Sequence, residues 1–198
     1  MTRNCYYRRI PMKKIVLLCA SPRKNGNSNA LADAFEAKLK DKAEIVRYDT
    51  QNMNFLGCRA CDNCFQDGKP CCFSDDFNLV MEEILTADAI VIATGVYWYT
   101  FPSGLKALID KFYSLCVAGK DLRGKKVALM ATCEDDTDEA FHGMCFAFDS
   151  SFELLHAECV GKVLVHGVHK LGDIRKTDGE QRAEKLADTL YRKLSDAS

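Results

Sequence analysis

The chain has 198 residues, 47% of them apolar, and its 27 basic and 28 acidic side chains leave a net charge of −1. That length suits one domain rather than two cores, and the apolar share excludes disorder as the main state. The balanced charge excludes the basic footprint of a nucleic-acid or anionic-membrane partner, and no apolar run approaches the ~20 residues that span a bilayer.

Residues 1–11 fit nothing that follows, whereas Lys13-Lys14 ahead of the run IVLLCA reads as the opening of a domain. Residues 1–12 are expected to be a loose basic arm, or a start assigned upstream of a true one at Met12, with a single domain over 13–198. From there short apolar runs alternate with helical periodicity, the pattern of a parallel sheet covered on both faces. The first strand is predicted at Ile15–Ala20, followed by a helix after Ser28 with Leu31, Ala34, Phe35 and Leu39 on one side. A strand at Glu44–Tyr48 precedes a helix over about Phe77–Ala87, and the strand Ala89–Thr94 precedes a helix starting near Ser103. Then come a strand at Val127–Thr132, a helix over about Glu139–His156, a strand at Val160–His166 and a last helix over about Gly179–Leu194. Five strands and five helices in alternation make an α/β, doubly wound sheet, in which ligands bind beyond the carboxyl ends of the strands. The loops after strands one, three and four are therefore the candidates.

The first of them, Ser21-Pro22-Arg23-Lys24-Asn25-Gly26-Asn27-Ser28, opens directly onto a helix. Unpaired amides at a helix start carry the positive end of its dipole. With the hydroxyls of Ser21 and Ser28, the Asn27 amide and the Arg23 guanidinium, they suit a phosphate. The loop lacks the Gly-Lys-[Ser/Thr] ending of a Walker loop and the three glycines of a dinucleotide fingerprint. The plainer alternative is a polar turn with Ser28 as the helix N-cap. After strand three, Gly95-Val96-Tyr97-Trp98-Tyr99-Thr100-Phe101 places four aromatics within five positions, which suits a flat aromatic ligand or a subunit contact. Thr132-Cys133-Glu134-Asp135 forms the third loop, and the acids that follow read as a solvated helix start. The histidines share no metal spacing, and no catalytic role is expected of His166-Gly167-Val168-His169.

Eleven cysteines, with no apolar stretch inside Met1–Arg9, point to reduced thiols in the cytoplasm. Cys19, Cys116, Cys145 and Cys159 lie in apolar surroundings and read as core residues. Cys58, Cys61 and Cys64 stand at successive two-residue gaps, with Cys71 and Cys72 following. Zinc sites pair Cys-x-x-Cys units across a longer loop, so this spacing is closer to a compact iron–sulfur set. Three readings stay open: a [4Fe–4S] cluster on Cys58, Cys61, Cys64 and Cys71, free thiols or a redox disulfide, and zinc.

Three segments carry a resemblance. The Ser21–Ser28 loop is one, and Val96-Tyr97-Trp98 with Leu105-Lys106-x-x-Ile109-Asp110-Lys111 is another. The third is Gly57-Cys58-x-x-Cys61-x-x-Cys64 with the later Asp75-Asp76. Together they resemble the flavodoxin-like NAD(P)H-dependent FMN reductases, in particular the branch that includes the iron–sulfur flavoproteins, over roughly Met12 to Lys193. The resemblance implies a five-stranded sheet of order 2-1-3-4-5. It implies an FMN whose phosphate is held by Ser21, Arg23, Asn27 and Ser28. Gly95, Val96, Tyr97 and Trp98 would embrace the ring, with Thr132 and Cys133 beside it. Gly95 departs from the family, which commonly has proline there. Further implications are NAD(P)H as hydride donor, a flavin, quinone or other small acceptor, and a cytoplasmic homodimer or homotetramer. No catalytic side chain is implied, because flavin N5 carries the chemistry. The alternative is an FMN and [4Fe–4S] electron carrier, although near-zero net charge argues against flavodoxin-like acidic docking. A zinc-bearing interaction module without flavin is the third reading, and the two ligand-edge loops weigh against it.

Overall fold

Strands that are apolar on both faces find shelter only between two layers of helix. The computed structural model, which describes residues 12–196, has them in one sheet. Its strands are β1 (Lys13–Cys19), β2 (Ala43–Asp49), β3 (Ala89–Gly95), β4 (Lys126–Thr132) and β5 (Glu158–Val165). They lie in the order β2-β1-β3-β4-β5, every neighbouring pair parallel, as the flavodoxin-like reading expected. The helices are α1 (Asn27–Leu39), α2 (Phe77–Thr86), α3 (Ser103–Asp110), α4 (Tyr113–Val117), α5 (His142–Leu154) and α6 (Gly179–Asp196).

Alternation along each strand sorts its side chains between two cores. Ile15, Leu17, Cys19, Val91 and Met130 face α1 and α6, where they meet Leu31, Phe35, Ala183, Leu186 and Leu190. Val16, Leu18, Ile90, Ile92 and Leu129 face the other way, onto Phe77, Val80, Leu105, Leu108, Met144 and Phe148. No described helix is long and apolar enough to cross a membrane. The expectation for residues 1–12 falls, apart from the exposed Met12, outside the described residues.

Strands β1 and β5 begin two residues earlier than predicted, and three helical features differ from the sequence reading. Helix α1 begins at Asn27 with Gly26 in the N-cap position, so Ser28 lies inside the first turn rather than capping it. The helix predicted over Glu139–His156 is a 3₁₀ turn at Asp138–Phe141 followed by α5. It stops before His156, whose left-handed φ of 59° and amide bond to the Glu153 carbonyl end the helix. Helix α4 was not foreseen, because five residues are too few to show a period.

Two polar devices hold the segments that flank the site. Asp75 and Lys111 form an ion pair whose side chains are 0% and 2% exposed. The Asp75 carboxylate also accepts the Leu56 amide at 2.7 Å and the Phe77 amide at 3.2 Å, so both of its oxygens are engaged and the stretch after β2 is bound to the start of α2. The second device joins the chain after β5 to α1. Asn27 donates its Nδ2 to the Lys170 carbonyl at 3.0 Å, and its Oδ1 accepts the amides of Gly172 and Ile174. Asp173 accepts the amides of His169 and Lys170 within the same turn.

Removing one partner of a buried ion pair strands the other charge. Asp75→Ala is expected to lower unfolding free energy in a denaturant titration by about 3–5 kcal/mol. A loss below ~1 kcal/mol, the range of an exposed pair, would contradict the burial described. The hydrogen bonds from Lys176 and the Lys170 amide pull the Asp173 carboxyl down to about 2. A carboxyl depressed on folding stabilises above its unfolded value of ~3.9 and loses that contribution as pH falls toward its folded value. The thermal midpoint of wild type is therefore expected to fall more steeply than that of Asp173→Asn between about pH 4 and 2.

Candidate functional site

The chain leaves β1 toward β2 on one side and enters β3 on the other. The loops after β1 and β3 therefore part at the carboxyl edge, where a crevice opens. Ser21 is half-buried and Arg23 exposed, while Gly26, Asn27 and Ser28 are buried beneath them. The turn is wound tightly. Ser21 Oγ accepts the Arg23 amide at 3.2 Å, and the Gly26 amide bonds the Arg23 carbonyl at 2.8 Å. A Cβ on Gly26 would stand 2.3 Å from Ser21 Oγ, so only glycine lets the loop close over the helix start. Asn29 donates Nδ2 to the carbonyls of Arg23 and Lys24, which engages those oxygens within the loop. Among the described residues the first-turn amides of Asn27, Ser28 and Asn29 have no acceptor, and no acid lies in that turn. The cradle is thus positive, with amides free to donate.

The Asn27 side chain, read from sequence as a phosphate donor, is spent on the turn after β5 and leaves only its backbone amide to the cradle. Arg23 reaches the His169 carbonyl at 3.3 Å. His169 Nδ1 in turn lies 2.8 Å from Glu134 Oε2, so the loops after β1, β4 and β5 are linked across the edge.

The loop after β3 folds back on itself. Tyr97 and Thr100 exchange both backbone hydrogen bonds, at 2.9 and 3.0 Å, and Trp98 and Tyr99 between them have φ of 47° and 64°. Two successive positive φ values in a two-residue hairpin are the signature of a type I′ turn, which favours Asn-Gly. Bulky aromatics there are strained by about 1–3 kcal/mol each, and such strain survives where surrounding structure imposes it. Here the Val96 amide is held by the Thr132 carbonyl at 2.8 Å. The Tyr99 carbonyl sits so close to α5 that a Cβ on Gly143 would stand 2.6 Å from it. Trp98 is left 92% exposed.

Val96, Trp98 and Cys133 come together with Tyr99, Glu134, Asp135 and Ala140 around a cleft of ≈ 470 Å³. Gly95 and Thr132 are partners in the β3–β4 register behind it, and Tyr97 is half of the hairpin rather than part of the lining. Burial pushes the Cys133 thiol up to about 11, so it faces the cleft uncharged at neutral pH. The sequence reading missed Tyr99, Ala140 and Gly143 as site elements. Tyr99 was legible as one of four clustered aromatics, whereas Gly143 had no local signal because its partner lies across the tertiary structure. A larger hollow of ≈ 590 Å³ lies between α5 and β5, lined by Arg123, Phe148 and Glu158 among others, and contains none of the predicted residues.

The cysteine run leaves the same edge after β2. Cys58, Cys61 and Cys72 are exposed, Cys64 is half-buried and Cys71 buried, and all five border one small cavity with Lys111 and Tyr113. Among the described residues, no three acidic, histidine or cysteine side chains converge as metal ligands. The backbone amide of Asn63 and the Cys72 thiol lower the Cys61 thiol below its usual range, while desolvation raises that of Cys64.

Comparison with known proteins follows this geometry. An iron-sulfur flavoprotein of Methanocaldococcus jannaschii is 33% identical over 116 residues, 57% of each chain. One of Methanosarcina thermophila is 32% identical over 99 residues, 50% of this chain and 51% of that one. The match thus spans 44–58% of the length of the curated relatives. Among solved structures, the NAD(P)H:quinone oxidoreductase of Methanothermobacter marburgensis superposes with a TM-score of 0.70 at 19% identity, covering 91% of this chain and 98% of that one, which shows the shared flavodoxin-like fold. The family profile described as NADPH-dependent FMN reductase matches residues 13–140, from the start of β1 through the loop after β4. With the phosphate-ready helix start and the aromatic cleft both inside that span, the chain belongs to the NADPH-dependent FMN reductase family.

Proposed function

We propose that the protein is an FMN-dependent oxidoreductase that draws a hydride from NAD(P)H and reduces a small acceptor such as a flavin or quinone. The observation that carries this reading is the pairing, at one sheet edge, of three acceptor-free helix amides with a cleft walled by Trp98 and Tyr99. A phosphate fits the first and a flat ring the second. Asn29 Oδ1 is buried beside the cradle without a partner, an acceptor suited to a ligand hydroxyl rather than to the phosphate itself. FMN, when bound, supplies the hydride and electron chemistry that the side chains here lack.

The residues divide the remaining work. Ser21, Arg23 and the amides of Asn27 and Ser28 hold the phosphate, and the Arg23 guanidinium adds a charge-assisted bond. Val96, Trp98 and Cys133 line the cleft and bound the ring, while Tyr97, Gly95 and Thr132 support them from behind. A neutral Cys133 thiol avoids placing a negative charge against a ring that gains electrons. The outer side of the cleft stays open past Trp98, which lets donor and acceptor take turns at one face. The iron–sulfur electron carrier is the second reading. It is supported by five cysteines around one cavity and by the names of the relatives.

Anaerobically purified protein should take up one FMN per chain and oxidise NADPH with free FMN or a soluble quinone as acceptor. Failure to take up FMN would overturn both flavin readings. Iron in the amount of a four-iron cluster, with no steady NADPH oxidation, would favour the carrier. Arg23→Ala, which removes a charge-assisted bond, is expected to weaken FMN binding about tenfold or more in a fluorescence titration. Gly143→Ala drives a methyl against the Tyr99 carbonyl and is expected to weaken FMN by a comparable factor while costing about 1–3 kcal/mol of stability.

A further inference from the structure

The cysteine run is the motif that the flavin site leaves unused. Two of its thiols meet: Sγ of Cys61 and Sγ of Cys72 lie 3.7 Å apart, and both residues are exposed. Their backbones are held from opposite sides. Asp62, next to Cys61, accepts the Tyr113 hydroxyl at 3.0 Å, which ties that turn to α4. Cys71, next to Cys72, is gripped at both backbone groups by Asn78 of α2, whose Oδ1 accepts the Cys71 amide at 2.7 Å and whose Nδ2 donates to its carbonyl at 3.1 Å. The same Nδ2 also donates to the Phe73 carbonyl at 3.1 Å. Ala60 and Asp62, on either side of Cys61, both stand at positive φ, 48° and 55°, a conformation that non-glycine residues keep where the surroundings impose it. Of the other three thiols lining the cavity, Cys58 and Cys64 each lie three residues from Cys61 along the chain, and Cys71 is buried.

We infer that Cys61 and Cys72 are a dithiol site that exchanges with small-molecule disulfides and closes to an intramolecular disulfide. This inference stands independently of the flavin reading. The Cys61 thiolate attacks one sulfur of a disulfide RSSR, forming a mixed disulfide and expelling RS⁻. Cys72 then gives up its proton to solvent and its sulfur attacks Cys61, forming the Cys61–Cys72 bond and expelling the second RS⁻. The protein loses two electrons and two protons, and RSSR becomes two RSH. Closing the bond needs the sulfurs to approach from contact to about 2.05 Å, a movement of two exposed side chains on clamped backbones. The closed pair withdraws two thiols from the cavity, so disulfide and metal ligation by Cys61 exclude one another.

The test uses the full chain, purified anaerobically with its iron and zinc measured, and equilibrated in mixtures of reduced and oxidised glutathione. Free thiols are then alkylated and the linked peptides mapped by mass. Two of the eleven thiols should disappear together, at Cys61 and Cys72. Cys72→Ser should accumulate a glutathione adduct on Cys61, and Cys159→Ser, an exposed thiol outside the run, should behave as wild type. Cys61→Ser should leave Cys72 reacting about tenfold more slowly or less, as when an intramolecular partner is lost. Circular dichroism of each variant checks the fold. A bond from Cys61 to any other cysteine would overturn the inference. So would two thiols that stay alkylatable in every mixture, or thiols held by iron or zinc and unmoved by the oxidant.

Discussion

The parallel register of β1 with both β2 and β3 is the constraint on which everything else rests. It places two apolar faces to be covered and sends every strand's carboxyl end to one edge. Because β1 is followed on one side by β2 and on the other by β3, the loops at that edge must part. The α1 helix start and the aromatic hairpin lie on the two sides of that parting. Neither would form a site alone. One is a turn with spare amides, the other a strained pair of aromatics.

Strain and satisfaction are distributed unevenly around the edge. Where the chain must only be held, polar side chains are paired, as in the Asp75–Lys111 pair and the Asn27 clamp. At the proposed site, amides are left without acceptors and two bulky residues stand at positive φ. The held regions thus support the strained ones. Gly26 and Gly143 are the hinges of this arrangement, since each admits an approach that a methyl would block.

The cysteine run follows a different logic. Its thiols share one cavity but do not converge, because its backbone is anchored at two separate helices. Asn78 holds one end and Tyr113 the other, which brings Cys61 toward Cys72 rather than toward Cys64 or Cys58. Spacing along the chain cannot express that choice. Cys71 and Cys72 are equivalent in sequence, and burial by α2 separates them.

The sequence by itself determined the elements whose physics is local or periodic: the five apolar strands, the long helices and the position of the candidate loops at the carboxyl edge. Apolar runs on a parallel sheet carry their burial in their composition, and a polar turn opening onto a helix carries its charge in its geometry. Only the tertiary structure decided that Gly26 rather than Ser28 stands at the N-cap. It also decided that the Asn27 side chain serves the turn after β5, and that Trp98 and Tyr99 occupy a hairpin meant for Asn-Gly. Each of these depends on a partner far along the chain: Lys170, Gly172 and Ile174 for Asn27, and Gly143 for Tyr99. No local pattern encodes such a partner; it exists once the sheet has brought its carboxyl edge together.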